Sequence, residues 1–493
     1  MNSIVKISFF LSVIFTLFAS CELKREDYTQ IYPENFYQNE SDVKAAVTAV
    51  YNRFNISTAS IYAHYRSGHN IFTEATTDIM DCDWADGGVW EMYKTHSWTP
   101  TTNDQISTLF GRYNFISEFR MIMMNIEKSP VSDVIKGQYI SELKALRGWV
   151  LYLLYDCFGP VPIASDDDIN DPVNSNIIPR PSKEDYFNVM LTEFRDAIAN
   201  PYFPVKATEW GRVDKGVANM MLLKTLIMLG SWNEAEIVAR ELMKPEYGYR
   251  LNDDYYDCFD KAKDRFNPEN IWSITCNNTT FKNFWVTHVI PGSYPYPNPK
   301  AEAWGGYRIP WAFFHTFESK DKRLELIVSE YVSKTGELCN EQYPGTDLVK
   351  GVLPLKYRVD MDQIGDAHGA DVPIFRFSDA KLLLAEVIVR KGGSVTQEAM
   401  NQINDVRRRA GLNDLALADY TNINAFYDMI LLERGHELFC EGQRRTDLIR
   451  FGKFIEYARL VPNSQTADYK VLFPIPTIRI NEGRGVIIQN DGY

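Results

Sequence analysis

A chain of 493 residues with 45% apolar side chains is long enough to bury a large core without staples. Its formal charge of -13 excludes a phosphate-backbone binder and a polybasic membrane surface, both of which need a basic face. Aromatics make up 13%, with 10 Trp and 28 Tyr, which is more than packing requires, and the surplus lies in irregular segments.

The first segment reads as a leader. Lys6 precedes an apolar run over residues 7–18, too short to span a bilayer and suited to a secretory h-region. Phe18-Ala19-Ser20-Cys21 then matches a lipoprotein cleavage site, with Cys21 as the acylated N-terminus, although Phe18 stands where Leu is usual. Residues 1–20 are therefore expected to be removed. The most apolar later stretch, residues 219–230, is short and broken by Lys224, so no later segment is expected to span.

Four amphipathic helices follow from apolar spacings of three and four, over residues 41–55, 104–127, 136–157 and 186–199. Two helix–turn–helix pairs come next. Residues 214–229 are apolar almost all round and so should be buried; Gly230-Ser231 breaks them, and a partner runs over 232–243. Residues 378–390 and the segment from Thr396 repeat the pattern. Ala235 and Ala399 follow the two turns, where small residues let helices approach, as in tetratricopeptide-like hairpins that must stack to bury their faces. Between the helices lie irregular stretches at 73–103, 160–181 and 267–310, rich in Pro, Gly, Asn, Asp and rings. Loops that long and that aromatic read as ordered and functional. The predicted fold is mostly α, with hairpins as scaffold, long irregular loops and little β. One body is expected over 21–493, with an N-terminal part about 22–245 and a C-terminal part about 265–493.

The chemistry motifs fail one by one. His436-Glu437 opens like a zinc-protease helix, but Cys440 stands where the second His belongs. There is no nucleophile elbow and no Walker A loop. Residues 81–88 resemble a calcium loop, yet Ala85 replaces a ligand and Asp86 the needed glycine; a looser calcium site on Asp78, Asp81, Asp83 or Asp86 stays open. Cys82, Cys157, Cys258, Cys276, Cys339 and Cys440 have no metal-ligand spacing and read as mostly free, buried thiols. Glu433, Arg434, Glu437, Arg444 and Asp447 crowd one helix and its exit and read as an ion-pair network.

Four stretches carry a family resemblance: the leader ending in Cys21, residues 142–163 (ELKALRGWVLYLLYDCFGPVPI), residues 211–243 (GRVDKGVANMMLLKTLIMLGSWNEAEIVARELM), and a C-terminal region. That region comprises residues 430–454 (ILLERGHELFCEGQRRTDLIRFGKF) and 472–493 (LFPIPTIRINEGRGVIIQNDGY). In order and spacing these resemble the SusD/RagB family of Bacteroidetes nutrient-uptake lipoproteins. Asp491 replaces the Pro of the usual terminal pentapeptide, and Arg445-Thr446 stand where rings often follow the EGQR unit. The resemblance implies an outer-membrane protein, lipid-anchored and facing outward, that captures a glycan and passes it to a SusC-like TonB-dependent transporter. It implies no catalysis. The rival readings are a RagB-like peptide binder, a surface glycoside hydrolase, and a scaffold that binds other proteins.

Sugars offer flat C–H faces and a rim of hydroxyls, so a site for them wants exposed rings edged by carboxylates, amides or guanidiniums. Two loop segments have that mixture. Trp84 and Trp98, with Asp83, are expected to touch ligand from the first, and Tyr296 and Trp304, with Arg308, from the second. Trp149 and Trp232 are assigned to the core.

Overall fold

A computed structural model describes residues 36–55, 60–64, 66–101 and 104–493. The anticipated leader, Cys21 and Asn103 fall outside those residues. Ten helices form the scaffold among them: α1 (Glu40–Tyr51), α2 (Asn114–Lys128), α3 (Asp133–Phe158), α4 (Lys183–Ala199), α5 (Lys215–Leu229), α6 (Trp232–Leu242), α7 (Phe377–Gly392), α8 (Gln397–Arg409), α9 (Ile423–Leu438) and α10 (Arg444–Arg450). From α2 to α8 each packs on the next, so the array is a stack of hairpins over one apolar core. None of the described helices is long and apolar enough to cross a membrane.

Local chemistry sets the boundaries. Ser132 caps α3 by accepting from the Ile135 amide, and Gly159 ends it at φ 70°. Asp214 caps α5 through the Val217 amide, and Gly230 closes it in the left-handed region at φ 73°. Thr396 does the same for α8 through Ala399. Ala235 and Ala399 are fully buried at the hairpin contacts, as their size suggested, and Trp149 lies in the core, whereas Trp232 is partly exposed. The helix expected over 104–127 is instead interrupted. A 3₁₀ turn at Gly111–Tyr113 separates Asp104–Phe110 from α2, because glycine weakens the helix where the tighter turn forms.

Eight strands of two to five residues occur among the described residues, including β1 (Asp81–Cys82), β2 (Asn270–Ile274), β3 (Tyr307–Arg308), β4 (Tyr331–Val332), β5 (Leu338–Cys339) and β6 (Val372–Arg376). β2 pairs antiparallel with β6, placing Asn270 opposite Arg376 and tying the irregular C-terminal half to the start of α7. There the chain buries a network of ions. Arg376 meets Glu269 at 2.7 Å, Glu437 at 2.8 Å and Glu441 at 2.7 Å. Arg323 meets Asp321 and Glu433, each at 2.7 Å, and Arg409 meets Glu269 at 2.8 Å. Burial alone would raise Glu437, but Arg409, Arg376 and Arg323 outweigh it and hold it down to about 2. The crowded charges of α9 are therefore structural, as their spacing implied. Cys82, Cys157, Cys258, Cys276 and Cys339 are buried free thiols, and Cys440 is a partly buried one.

Candidate functional site

The two ring-rich loops meet. β1 pairs antiparallel with β3, Asp81 opposite Arg308 and Cys82 opposite Tyr307, and the Asp83 amide donates to the Gly306 carbonyl at 2.9 Å. Trp84 crosses that seam. Its indole N–H donates to the Trp304 carbonyl at 2.9 Å. Its ring lies against Gly306, where a Cβ would come within 2.3 Å of it, so only glycine lets the indole settle there. Trp90, His288 and Tyr307 support the ring, with centroids 6.0, 5.1 and 5.4 Å away. Trp304 stands on top, 45% exposed, tilted over His288 at 5.2 Å. Its indole N–H donates to Glu302 at 3.0 Å. The result is a platform of two indoles, one open and one partly covered, on a packed aromatic base.

Three other expected contacts lie in the interior. Trp98 is 1% exposed; its indole donates to the Tyr493 hydroxyl at 2.8 Å and its ring packs on His96 and Phe473 at 4.4 and 4.7 Å. The C-terminal segment folds back over it, so its polar sequence neighbours do not expose it. Tyr296 belongs to a second apolar cluster with Ile79, Val286, Phe313 and Phe439. Arg308 is also 1% exposed, and its guanidinium meets Asp83 at 3.0 Å and the carbonyls of Asp347 and Val289 at 2.6 and 3.1 Å. It clamps the loops together rather than offering a fork to a ligand. Asp83 is raised by burial, with Arg308 opposing, and it is spent on that clamp.

The acidic residues of the first loop do not converge on a cation. Asp78 pairs with Arg444 at 2.7 Å, Asp81 with Lys94 and Lys350, Asp83 with Arg308, and Asp86 with Arg66 at 2.8 Å. Each carboxylate thus has its own cation, which leaves a calcium ion no shared ligand set. The metal-competent cluster found among the described residues is His69, Asp156 and Cys157. There Arg445 already sits on Asp156 at 2.9 Å, so a positive charge occupies the place a metal would take. The His436-Glu437 pair is equally unsuited. His436 packs at a tilt on Phe317 at 4.1 Å and bonds Thr316 at 2.7 Å, and Glu437 is locked by arginines.

Burial lowers His288 to about 3, so the imidazole under the platform is neutral. The sequence reading passed over His288 and Glu302. The signal for His288 was its place four residues after Phe284 on a short helix, where the two rings stack at 5.9 Å.

Tetratricopeptide-like hairpins carrying a loop-built aromatic platform define the class: a mostly helical scaffold whose long connections build part of its surface. The model of the SusD family matches residues 236–493, and the chain belongs to that family. Among its relatives, the starch-binding protein SusD of Bacteroides thetaiotaomicron is 23% identical over 498 residues, covering 87% of this chain and 86% of that protein. The SusD-like protein P25 of Formosa agariphila is 23% identical over 99% of both chains. Surface glycan-binding protein A from Bacteroides thetaiotaomicron, solved in complex with laminarihexaose, superposes with TM-score 0.73 at 18% identity, over 91% of this chain and 99% of that one.

Proposed function

We propose that this chain is a surface nutrient-binding protein that captures an oligo- or polysaccharide on the Trp84–Trp304 platform and leaves its bonds intact. The observation that carries the reading is the open indole of Trp304, seated over His288 and bonded to Glu302. An open, preorganised ring can cover the C–H face of a pyranose without paying to order itself. Glu302 beside it supplies a carboxylate acceptor for sugar hydroxyls. The neutral His288 adds no charge beneath the rings.

Cleavage of a glycoside needs two carboxylates free to act as acid and base across the sugar. The nearby Asp81, Asp83 and Asp86 are each tied to a cation, which favours binding over hydrolysis. The names of relatives, one starch-binding and one solved with laminarihexaose, support a glycan as ligand. On this reading Cys21 carries the lipid anchor on the outer membrane. The captured glycan then passes to a SusC-like TonB-dependent transporter.

Calorimetry of the mature chain against starch, laminarin and other neutral polysaccharides, with chromatography of the products, tests the proposal. Saturable binding with no released oligosaccharide is expected. Hydrolysis by the pure chain, or no binding to any polysaccharide, overturns it.

A further inference from the structure

The short helix Trp311–Phe314 follows β3 directly and opens a second ring-lined surface. Trp311, Phe314 and His315 line an open groove of about 440 Å³. Glu330, Asn340 and Glu341, which flank the β4–β5 hairpin, also line it and give it a polar rim. The Trp311 and His315 rings lie near parallel, at 25° with centroids 5.9 Å apart, and Phe314 meets Trp311 edge-on at 5.7 Å. The Trp311 indole is fixed by donating to the Leu348 carbonyl at 2.9 Å.

The rim is ordered too. His315 Nε2 and Glu341 Oε1 are 2.9 Å apart. Asn340 donates to Glu330 at 2.8 Å and accepts from the Tyr343 amide at 2.9 Å. Each carboxylate uses one oxygen in these bonds and keeps another to accept from a hydroxyl. Two carboxylates on one rim repel uronate or sulfate groups, so the chemistry suits a neutral sugar.

We infer that this groove is a second contact for a neutral glycan, engaged by the same polymer chain that covers Trp304. The inference rests on the glycan reading above. Trp304 and Trp311 are seven residues apart in the sequence, so their Cα atoms are separated by at most about 25 Å. The segment that supplies Asn340 and Glu341 runs on to Asp347, which binds Arg308, and to Lys350, which bonds the Cys82 carbonyl of the first loop. One stretch of backbone therefore runs from this groove to the buried β1–β3 seam that carries Trp84. A polymer that reaches both sites makes its second contact intramolecularly, and affinity rises with chain length without a tighter primary site.

The test compares wild type, Trp304→Ala and the double variant His315→Ala/Glu341→Ala. The two rim side chains are 54% and 52% exposed, so the double variant folds, and its melting temperature confirms that. The probes are laminarin and starch, each beside its trisaccharide, laminaritriose and maltotriose. The double variant should bind the polymer about tenfold more weakly while holding the trisaccharide within twofold of wild type. Trp304→Ala should weaken both. Polymer binding by the double variant within twofold of wild type overturns the second contact and leaves the primary site standing. Equal losses on polymer and trisaccharide also overturn it, since they mean a single site. If wild type binds neither polymer, the same comparison is made with the neutral polysaccharide that calorimetry finds it to bind, and no binding to any of them overturns the glycan reading beneath it.

Discussion

Replacing Trp304 by alanine separates ligand contact from folding more cleanly than any other change at the platform. The bond that holds Trp84 in place runs to the backbone carbonyl of residue 304, so Trp304→Ala removes the open ring and keeps its neighbour seated. The lost bond to Glu302 is between exposed groups, and its net contribution to folding is small. The ring is 45% exposed. For a Trp that can bury about 200 Å², roughly 90 Å² then remains for a sugar to cover. At about 25 cal/mol per Å² this is about 2 kcal/mol, or about thirtyfold in Kd. Calorimetry with the best-binding polysaccharide reads the affinity, and thermal melting reads the fold, which should change by less than about 1 kcal/mol. A variant that melts like wild type and binds within twofold of it refutes the reasoning.

Trp98→Ala should do the opposite. It empties a site inside the core and should cost about 3–5 kcal/mol of stability by denaturant unfolding, with the folded fraction binding as wild type does. Glu437→Ala removes a carboxylate shared by Arg376, Arg409 and Arg323, which keep Glu269, Glu441, Asp321 and Glu433, and so leaves one buried positive charge uncompensated; it should cost about 3–5 kcal/mol, visible as a lower denaturant midpoint, and a loss under about 1 kcal/mol contradicts the network's role. Stability should also fall as pH rises from about 4 to about 8. Burial pushes Glu74 up to about 8, and burial with the nearby Asp371 pushes Asp264 to about 7. Both hold a proton in the native chain that the unfolded chain releases near pH 4, so their contribution is full below about pH 4 and is lost between there and about pH 8. Melting at pH 5 should exceed melting at pH 8.5, and Glu74→Gln should flatten the difference.

The hairpins were legible because their determinants are local. Asp214, Gly230 and Thr396 mark ends that depend on residues three or four positions away. The ion network of α9 was legible only as a crowd of charges within one turn, since Glu433 and Glu437 find their cations on Arg323, Arg376, Arg407 and Arg409, far along the chain. The platform was legible only in part. Trp84 and Trp304 each looked like loop rings, and the β1–β3 pairing that joins them spans more than two hundred residues. Trp98 and Tyr296 sit beside Thr or Pro much as Trp84 and Trp304 sit beside Asp or Gly, and Arg308 lies in the same ring-rich segment as Trp304. What buries Trp98 is Tyr493, 395 positions along the chain. Arg308 is consumed by Asp83 across the strand pair and by the Val289 carbonyl. Such neighbours leave no trace in the spacing around the residue they cover. The break at Gly111 was hidden because the apolar period continues across it.

The most direct test of binding without cleavage is a crystal structure of the mature chain soaked with a hexasaccharide of the polymer it binds. The expected density is an unbroken oligosaccharide with one pyranose flat against Trp304 and its neighbour reaching Trp84. A sugar bound elsewhere with Trp304 bare, or density for shortened products, contradicts the account.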